Sequence, residues 1–495
     1  GYHIYDNQSH GAAHKRNSDL FWKTKKDFSD KYKIDFQGFG ESAAQTWEGQ
    51  IQQAKLMFDS VFKVMSDNQD YVDYLSERLI EIGESVPVKI GGCKIKSTTQ
   101  NIEKSIFNLN SLPKDLFVQP GECIPNRVGF SKYASYVNTI YEKKYGYPLV
   151  MAMSADLADS TNLSGFSKNY DNGYDKGLFD KNNNLDSPLF PQGITEFTNA
   201  GMMAGATTVN FSNNPYENFN GFYGAASTYG SFSYLKYGPL RLFSQIAQDS
   251  NLKVGKFIWV VGHSGPETAE DSRTHFGIFA PGVTQLFPNG HIINIHPWEH
   301  NEVAPSLSAA LQTEVPIIAI HLTRPAIVIP DRNLMGISSH MDSAKGAYII
   351  KDFEKEGKRK GVVIVRGTSA TNSLIQILPK LKDKGINVKI IAAISWELFI
   401  RQDKNYREKV ISNYEWNDAM VITNGSIKLM NNWISNVVVK KYSISPDHDD
   451  KWRTGGSVNE IIKESHLDPD NILEGIEKFA KDFDKRHLLL STNKK

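Results

Sequence analysis

The segment from His263 to His275 concentrates groups that move protons. It holds two imidazoles, the acids Glu270 and Asp271, and Thr274. Imidazole is the side chain whose ordinary titration falls near neutrality, so it can give or take a proton there. Carboxylates beside it can accept hydrogen bonds from hydroxyls. The set suits a polyhydroxylated substrate. Arg324 follows the apolar run Ile317–Leu322, and a guanidinium there is suited to holding a phosphate. Glu196 opens a stretch of small residues with Gly201, Ala204, Gly205 and Ala206. Such an acid either caps a helix or lies buried, facing a heterocycle nitrogen. Tyr229, Phe232, Tyr234 and Tyr237 follow within Ser227–Tyr237; they fill a core or hold a flat ring.

Three shorter patterns point to other chemistries and fail on local structure. Gly262-His263-Ser264-Gly265 resembles a nucleophile elbow, but Pro266 takes the place of the final glycine. His296-Pro-Trp-Glu-His300 fits a zinc-protease spacing, which works only when both histidines share a helix face. Pro297 directly after an apolar strand makes it a strand-to-helix turn instead. Gly367-Thr-Ser369 is a strand-to-helix turn without the lysine of a phosphate loop.

The elements that position these groups read as alternating strands and helices. Pro148–Ala152, Lys256–Gly262, Ile292–Ile295 and Ile317–Leu322 are short apolar runs suited to parallel strands covered on both faces. Helices are expected over Ser131–Tyr145, Ile194–Ala206, Pro239–Asp249 and His300–Gln312, and a surface loop over Gly165–Pro191. After a charged connector the alternation resumes. Strands are expected at Val362–Val365, Val388–Ile394, Ala419–Ile422 and Val437–Lys440, with a helix over Ser373–Lys384. Asp468-Pro469 starts a final helix. Ahead of all this, residues 1–20 read as a polar loop, and Ala43–Met65 is the one clear helix before Pro125. Strand–helix alternation predicts an α/β fold with a parallel sheet, followed by a second, smaller α/β domain.

The chain has 495 residues, 56 of them basic and 55 acidic, for a formal net charge of +1. No global field draws in nucleic acid or a membrane surface. No apolar run approaches the roughly 20 residues of a spanning helix. Two cysteines exclude a disulfide framework and fit a reducing cytoplasm. The start at Gly1 is expected to mark a fragment, a processed product or one part of a larger assembly.

Taken in order, these segments resemble the transketolase family. Ser154-Ala-Asp156-Leu-Ala-Asp-Ser160 is similar to that family's Gly-Ser-Ala-Asp-Leu-x-x-Ser segment. Gly193-Ile-Thr-Glu196-Phe resembles its catalytic-glutamate segment, and Ser227-Thr-Tyr229-x-x-Phe232 its cofactor wall. His263 through Glu270-Asp271-x-x-Thr-His275 keeps the family spacing, and Leu322-Thr-Arg324 its strand-end arginine. Ser9-His10-Gly-Ala is similar to a histidine motif late in the diphosphate-binding domain, and Arg127 to the arginine opening the next domain.

The resemblance implies a thiamine-diphosphate-binding fold, with residues 1–125 as the tail of the diphosphate-binding domain and linker. Residues 126–330 would be the pyrimidine-binding domain, 331–360 a connector and 361–495 the C-terminal domain. It implies thiamine diphosphate and Mg²⁺ as cofactors. Glu196 would bond the aminopyrimidine ring nitrogen, with Phe232, Tyr229, Asp156 and His10 completing the cofactor site. His275, His263 and His10 would contact a ketose donor and assist proton transfer. Asp271 would bind a hydroxyl, and Arg127, Ser160, His263 and Arg324 the phosphate of a sugar phosphate. The implied reaction moves a two-carbon ketol unit between sugar phosphates, as in the pentose phosphate pathway. Ser272-Arg273 replaces the family's Gly-Pro, and no Gly-Asp-Gly…Asn segment precedes residue 127. Metal ligands are therefore expected in an N-terminal segment or a partner chain, within a homodimer or heteromer. The alternatives are dihydroxyacetone synthase or a catalytically silent transketolase-like subunit.

Overall fold

The computed structural model describes residues 17–36, 38, 42–85, 104–173, 177–270, 272–453 and 455–492. His10 and Asp271 therefore lie outside the described residues. The chain divides into two units, Gly1–Lys89 and Ile90–Lys495.

The first unit carries three helices, α1 (Asp19–Tyr32), α2 (Trp47–Asp67) and α3 (Gln69–Ser85). Only the second was expected. Ser18 caps α1 by accepting from Phe21 N, and Thr46 caps α2 by accepting from Gly49 N. Trp22 and Phe36 are buried in this unit, while Phe58, Phe62, Leu75 and Leu79 are exposed.

In the second unit a six-stranded sheet is built from β1 (Val150–Ser154), β2 (Leu189–Phe190), β3 (Tyr223–Tyr229), β4 (Phe257–Gly262), β5 (Ile292–Ile295) and β6 (Ile317–Leu322). The spatial order is β2-β1-β3-β4-β6-β5, parallel throughout. Apolar clusters cover both faces. Val260, Ile293 and Ile318 face one, and Trp259, Val261 and Ala319 the other. Double coverage explains why β4, β5 and β6 read as unbroken apolar runs.

The helices that flank this sheet are α4 (Asn126–Tyr145), α5 (Glu196–Thr208), α6 (Tyr237–Asp249) and α7 (Val303–Gln312). The third strand, β3, was missed, because Tyr-Gly-Ala-Ala-Ser-Thr-Tyr lacks a branched apolar run. Its small residues serve close packing instead. A Cβ on Gly224 would meet the Met203 carbonyl oxygen of α5 at 2.7 Å. The described part of Gly165–Pro191 is not all surface loop: a 3-10 stretch, Leu163–Tyr170, runs into it and buries Phe166 and Tyr170, and β2 within it pairs with β1.

A smaller sheet follows from β7 (Ala347–Lys351), β8 (Val362–Arg366), β9 (Lys389–Ala393) and β10 (Ala419–Thr423), in the order β10-β8-β9-β7. Only β7 runs antiparallel to its neighbour. This strand lies inside the stretch read as a connector. Behind β8, α8 (Thr368–Asp383) packs against α10 (Pro469–Lys481), which follows α9 (Val458–Glu464). The α10 start is as expected: Asp468 accepts from Asp470 N and Asn471 N, with Pro469 at the first position. Val437–Lys440 is a short helix, not the expected strand. Asn436 accepts from the amides of Val438 and Val439, and that cap overrides the β preference of three valines. Among the described residues no helix is long and apolar enough to cross a membrane.

A buried ion cluster links the two sheets. Arg332 donates through Nε to Glu299 at 2.8 Å and through Nη2 to Glu302 at 2.8 Å. Tyr348 of β7 bonds Glu302 and accepts from Trp298 Nε1 at 2.8 Å. Burial pushes both carboxyls upward, and Arg332 pulls them back. Removing one member of such a cluster strands the others without water. Arg332→Met is expected to cost about 3–5 kcal/mol of stability, read as a lower urea midpoint. Adding Glu299→Gln and Glu302→Gln should recover part of the loss.

Candidate active site

Every functional side chain singled out between Arg127 and Arg324 that the structure describes lies at or just past a strand's carboxyl end, or on an adjoining helix. In the order β2-β1-β3, the chain leaves β1 to one side and later returns on the other. Ligand crevices of open α/β sheets form at such a reversal. Asp156 and Ser160 follow β1, Tyr229 ends β3, His263 follows β4 and Arg324 follows β6.

Glu196 is the first residue of α5 and is 5 % exposed. Its carboxylate does not cap the helix. It turns to the sheet, where Oε1 accepts from Thr228 Oγ1 at 3.0 Å. This decides between the two readings of that acid in favour of a buried group facing the strand ends.

Next to Thr228, the Tyr229 ring lies 4.6 Å from His263 and 5.1 Å from His275, centroid to centroid. Phe232 meets the His275 ring edge-on at 5.4 Å. Arg127 Nη1 lies 2.8 Å from both His263 Nε2 and the Ser160 carbonyl oxygen, and His263 Nε2 lies 2.9 Å from that same carbonyl. A guanidinium only donates, so while it bonds Nε2 the proton of a neutral His263 sits on Nδ1. His263 adopts φ 73°, an uncommon conformation for a side-chain-bearing residue. Gly230 packs tightly on that turn: a Cβ there would meet the His263 carbonyl oxygen at 2.6 Å.

Arg324 pairs with Glu270 at 3.8 Å, which ties it to the loop that carries His275. Asp156 is exposed in the left-handed region, at φ 57°. Thus Arg127, Ser160, His263, Tyr229, His275 and Phe232 converge, with Glu196 one residue behind Tyr229 through Thr228.

Two charged residues escaped the sequence reading. Lys236 is fully buried and donates to the carbonyls of Ala226 at 2.9 Å and Val260 at 3.3 Å. Burial pushes its ammonium well below the usual lysine range, and attraction to Glu196 opposes that. A lysine inside the aromatic run Tyr234–Tyr237 was the available signal. Glu267 is fully buried too, and among the described residues its carboxyl has no hydrogen-bond partner in another residue. Burial raises it to about 8.

The alternative motifs stay structural. Ser264 Oγ lies 3.5 Å from His321 Nδ1, both buried. His296 follows β5 while His300 opens a 3-10 turn. Among the described residues no three His, Cys, Asp or Glu side chains converge as a metal site. The group that fits these surroundings is a flat, nitrogen-bearing ring. A buried carboxylate stands beside an aromatic wall, and the buried polar atoms His275 Nδ1, Ser231 Oγ and Asn199 Nδ2 have no hydrogen-bond partner among the described residues.

Residues 145–328 match the transketolase pyrimidine-binding domain, and residues 346–445 the transketolase-like C-terminal domain. Transketolase 7 of Craterostigma plantagineum is 28% identical over 164 residues, 33% of this chain and 23% of that protein. A Nostoc transketolase is 30% identical over 190 residues, 38% of this chain and 26% of that one. The solved transketolase of Leishmania mexicana superposes with TM-score 0.57 at 16% identity, covering 94% of this chain and 59% of its own. A Pichia stipitis transketolase solved with sedoheptulose-7-phosphate gives 0.56 at 18% identity, covering 94% and 60%. These structures establish the shared fold. The chain spans about a quarter of the curated relatives named here and about 60% of the solved ones.

The Glu267 carboxyl gives a pH test of the site loop. Its folded value lies near 8 against 4.5 when unfolded, so the unfolded chain releases that proton first. Its contribution to stability is whole below pH 4.5 and drains away as pH rises to 8. Glu267→Gln should match the native chain at pH 4.5 and exceed it by a few kcal/mol at pH 8, measured by urea unfolding across that range.

Proposed function

We propose that this chain, in which two consecutive transketolase-family domains occupy residues 145–328 and 346–445, is the pyrimidine-binding and C-terminal part of a thiamine-diphosphate-dependent transketolase. The reaction transfers a two-carbon ketol unit from a ketose phosphate to an aldose phosphate, as in the pentose phosphate pathway. The observation that carries this reading is Glu196. Its buried carboxylate is held by Thr228, and the next residue, Tyr229, faces both His263 and His275.

Thiamine diphosphate, when bound, supplies the carbanion chemistry that breaks and forms the carbon–carbon bond. Glu196 holds a proton against the aminopyrimidine ring nitrogen. Tyr229 and Phe232 wall the ring and keep water from that proton, with Asp156 and His10 completing the cofactor site. His275 and His263, joined by His10, orient the donor's hydroxyls and carbonyl oxygen and carry protons between them. Asp271 accepts a hydrogen bond from a substrate hydroxyl. Arg127, Ser160, His263 and Arg324 receive the phosphate end, where Arg127 supplies bidentate donors.

Mg²⁺ and the diphosphate are held by an N-terminal module, on the same chain or on a partner. Exposed apolar side chains beside the site support a covering subunit: Ile194, Phe197, Tyr234 and Leu242. The assembly is a homodimer or a heteromer of such parts, working in the cytoplasm. The proposed domain limits are 1–125, 126–330 and 361–495, with β7 drawing the C-terminal domain back to Ala347. Dihydroxyacetone synthase chemistry is the second reading. It is favoured only by Ser272-Arg273, which alters the loop beside the sugar.

With an N-terminal module, thiamine diphosphate and Mg²⁺, the chain should turn over ketose phosphate. Glu196→Ala should lower kcat at least a thousandfold, with an unchanged circular dichroism spectrum and melting temperature. Full activity in Glu196→Ala would falsify the assignment.

A further inference from the structure

The loop that carries His275 has little of its own to hold it. Between His263 and Phe279 its described structure is two 3-10 turns, Pro266–Glu270 and Arg273–His275. Its internal bonds close the loop on itself. Gly277 N donates to Gly265 O at 3.2 Å and to Thr268 Oγ1 at 3.2 Å. Such bonds shape the loop, and its ties to the end of β6 are two: Ser264 N donates to Leu322 O at 2.7 Å, and Glu270 pairs with Arg324 at 3.8 Å.

A further anchor is apolar and comes from the far end of the chain. Ala269, Phe276 and Ile278 form a small core of their own, separate from both sheet-covering clusters, and the fourth member is Ile461 of α9. Trp452 lies edge-on to Phe276 at 6.0 Å and to Phe279 at 5.4 Å. The neighbouring Arg453 is 1 % exposed and fixes that segment, donating to Pro446 O at 2.6 Å and to both Asp449 oxygens. A capping box, Ser457 with Glu460, sets the start of α9. Backbone contact completes the junction: Ser426 N donates to Ile278 O at 3.0 Å.

We propose that residues 446–464 position the His275 loop, with Trp452 and Ile461 as positioning residues for substrate binding. The C-terminal domain thereby controls a loop whose imidazole packs on Tyr229 and Phe232, without itself touching the substrate. The role in binding rests on the function proposed above; the anchoring does not. Removing Ile461 opens the small core, and removing Trp452 takes away the ring lying against Phe276 and Phe279, so His275 samples positions off the aromatic wall. Affinity for the donor sugar falls, while the cofactor ring, held through Glu196 and β3, is unaffected.

Amide hydrogen exchange of the full chain tests the anchoring. In Trp452→Ala and Ile461→Ala, amides of residues 267–279 should exchange at least tenfold faster, with β4 and β6 unchanged. Trp452→Phe and Ile461→Val should restore the native rate. Unchanged loop exchange overturns the proposal, and so does an equal acceleration in β4 and β6. In the assembly with an N-terminal module, thiamine diphosphate and Mg²⁺, Trp452→Ala should raise KM for xylulose 5-phosphate at least fivefold. The cofactor's dissociation constant should hold. A native KM with a loosened loop overturns the positioning role. No turnover by the unmutated chain in that assembly overturns the proposed function instead, and the exchange result still decides the anchoring.

Discussion

A parallel sheet covered on both faces can offer polar chemistry at only one place, the edge where its strands end. Everything along β4 and β6 is sealed between apolar layers. Strand termini release the chain from the ladder, and the next few residues carry polar groups out of the dry interior. Ser160, Tyr229 and His263 come together because β1, β3 and β4 lie side by side and end on the same edge, and α4 brings Arg127 to them. The reversal of strand order at β1 opens the crevice, and α5 brings Glu196 to it from the side. The site is thus a consequence of topology more than of any local motif.

The same dryness sets the electrostatics. Lys236 donates to two strand carbonyls, yet burial outweighs the pull of Glu196 and pushes its ammonium well below the usual lysine range. Arg332 survives because two carboxylates and a tyrosine hydroxyl surround it. Glu267 has no such company and responds by holding its proton. Buried charge is tolerated here where it is answered, and neutralised where it is not. The Arg332 cluster also joins the segment after β5 to β7, so the two sheets are coupled by groups that can find no water if they part.

Much of this was legible in the residues themselves. The strands β4, β5 and β6 announced themselves as apolar runs because both faces are covered. The α10 start was readable from Asp468-Pro469, since capping is local chemistry. That His263 and His275 belong to one stretch after β4 was readable from order; that both rings meet Tyr229 was not. What misled was equally physical. The third strand, β3, is made of small residues chosen for close approach to α5, and its sequence carries no strand signature. The valines of 437–440 favour a strand, but one asparagine cap bends them into a helix. The connector hid β7, whose burial depends on β9 beside it.

By itself the sequence determined the groups available for chemistry, the alternation of strands and helices, and the family likeness that orders them. These follow from residue type and periodicity, which act over a few positions. Only the tertiary structure decided that Glu196 turns inward to Thr228, that Lys236 and Glu267 are buried, and that Ile461 closes a core with Phe276. Each of those depends on segments far apart in the chain meeting in a space without water. Desolvation and contact have no counterpart in a linear string.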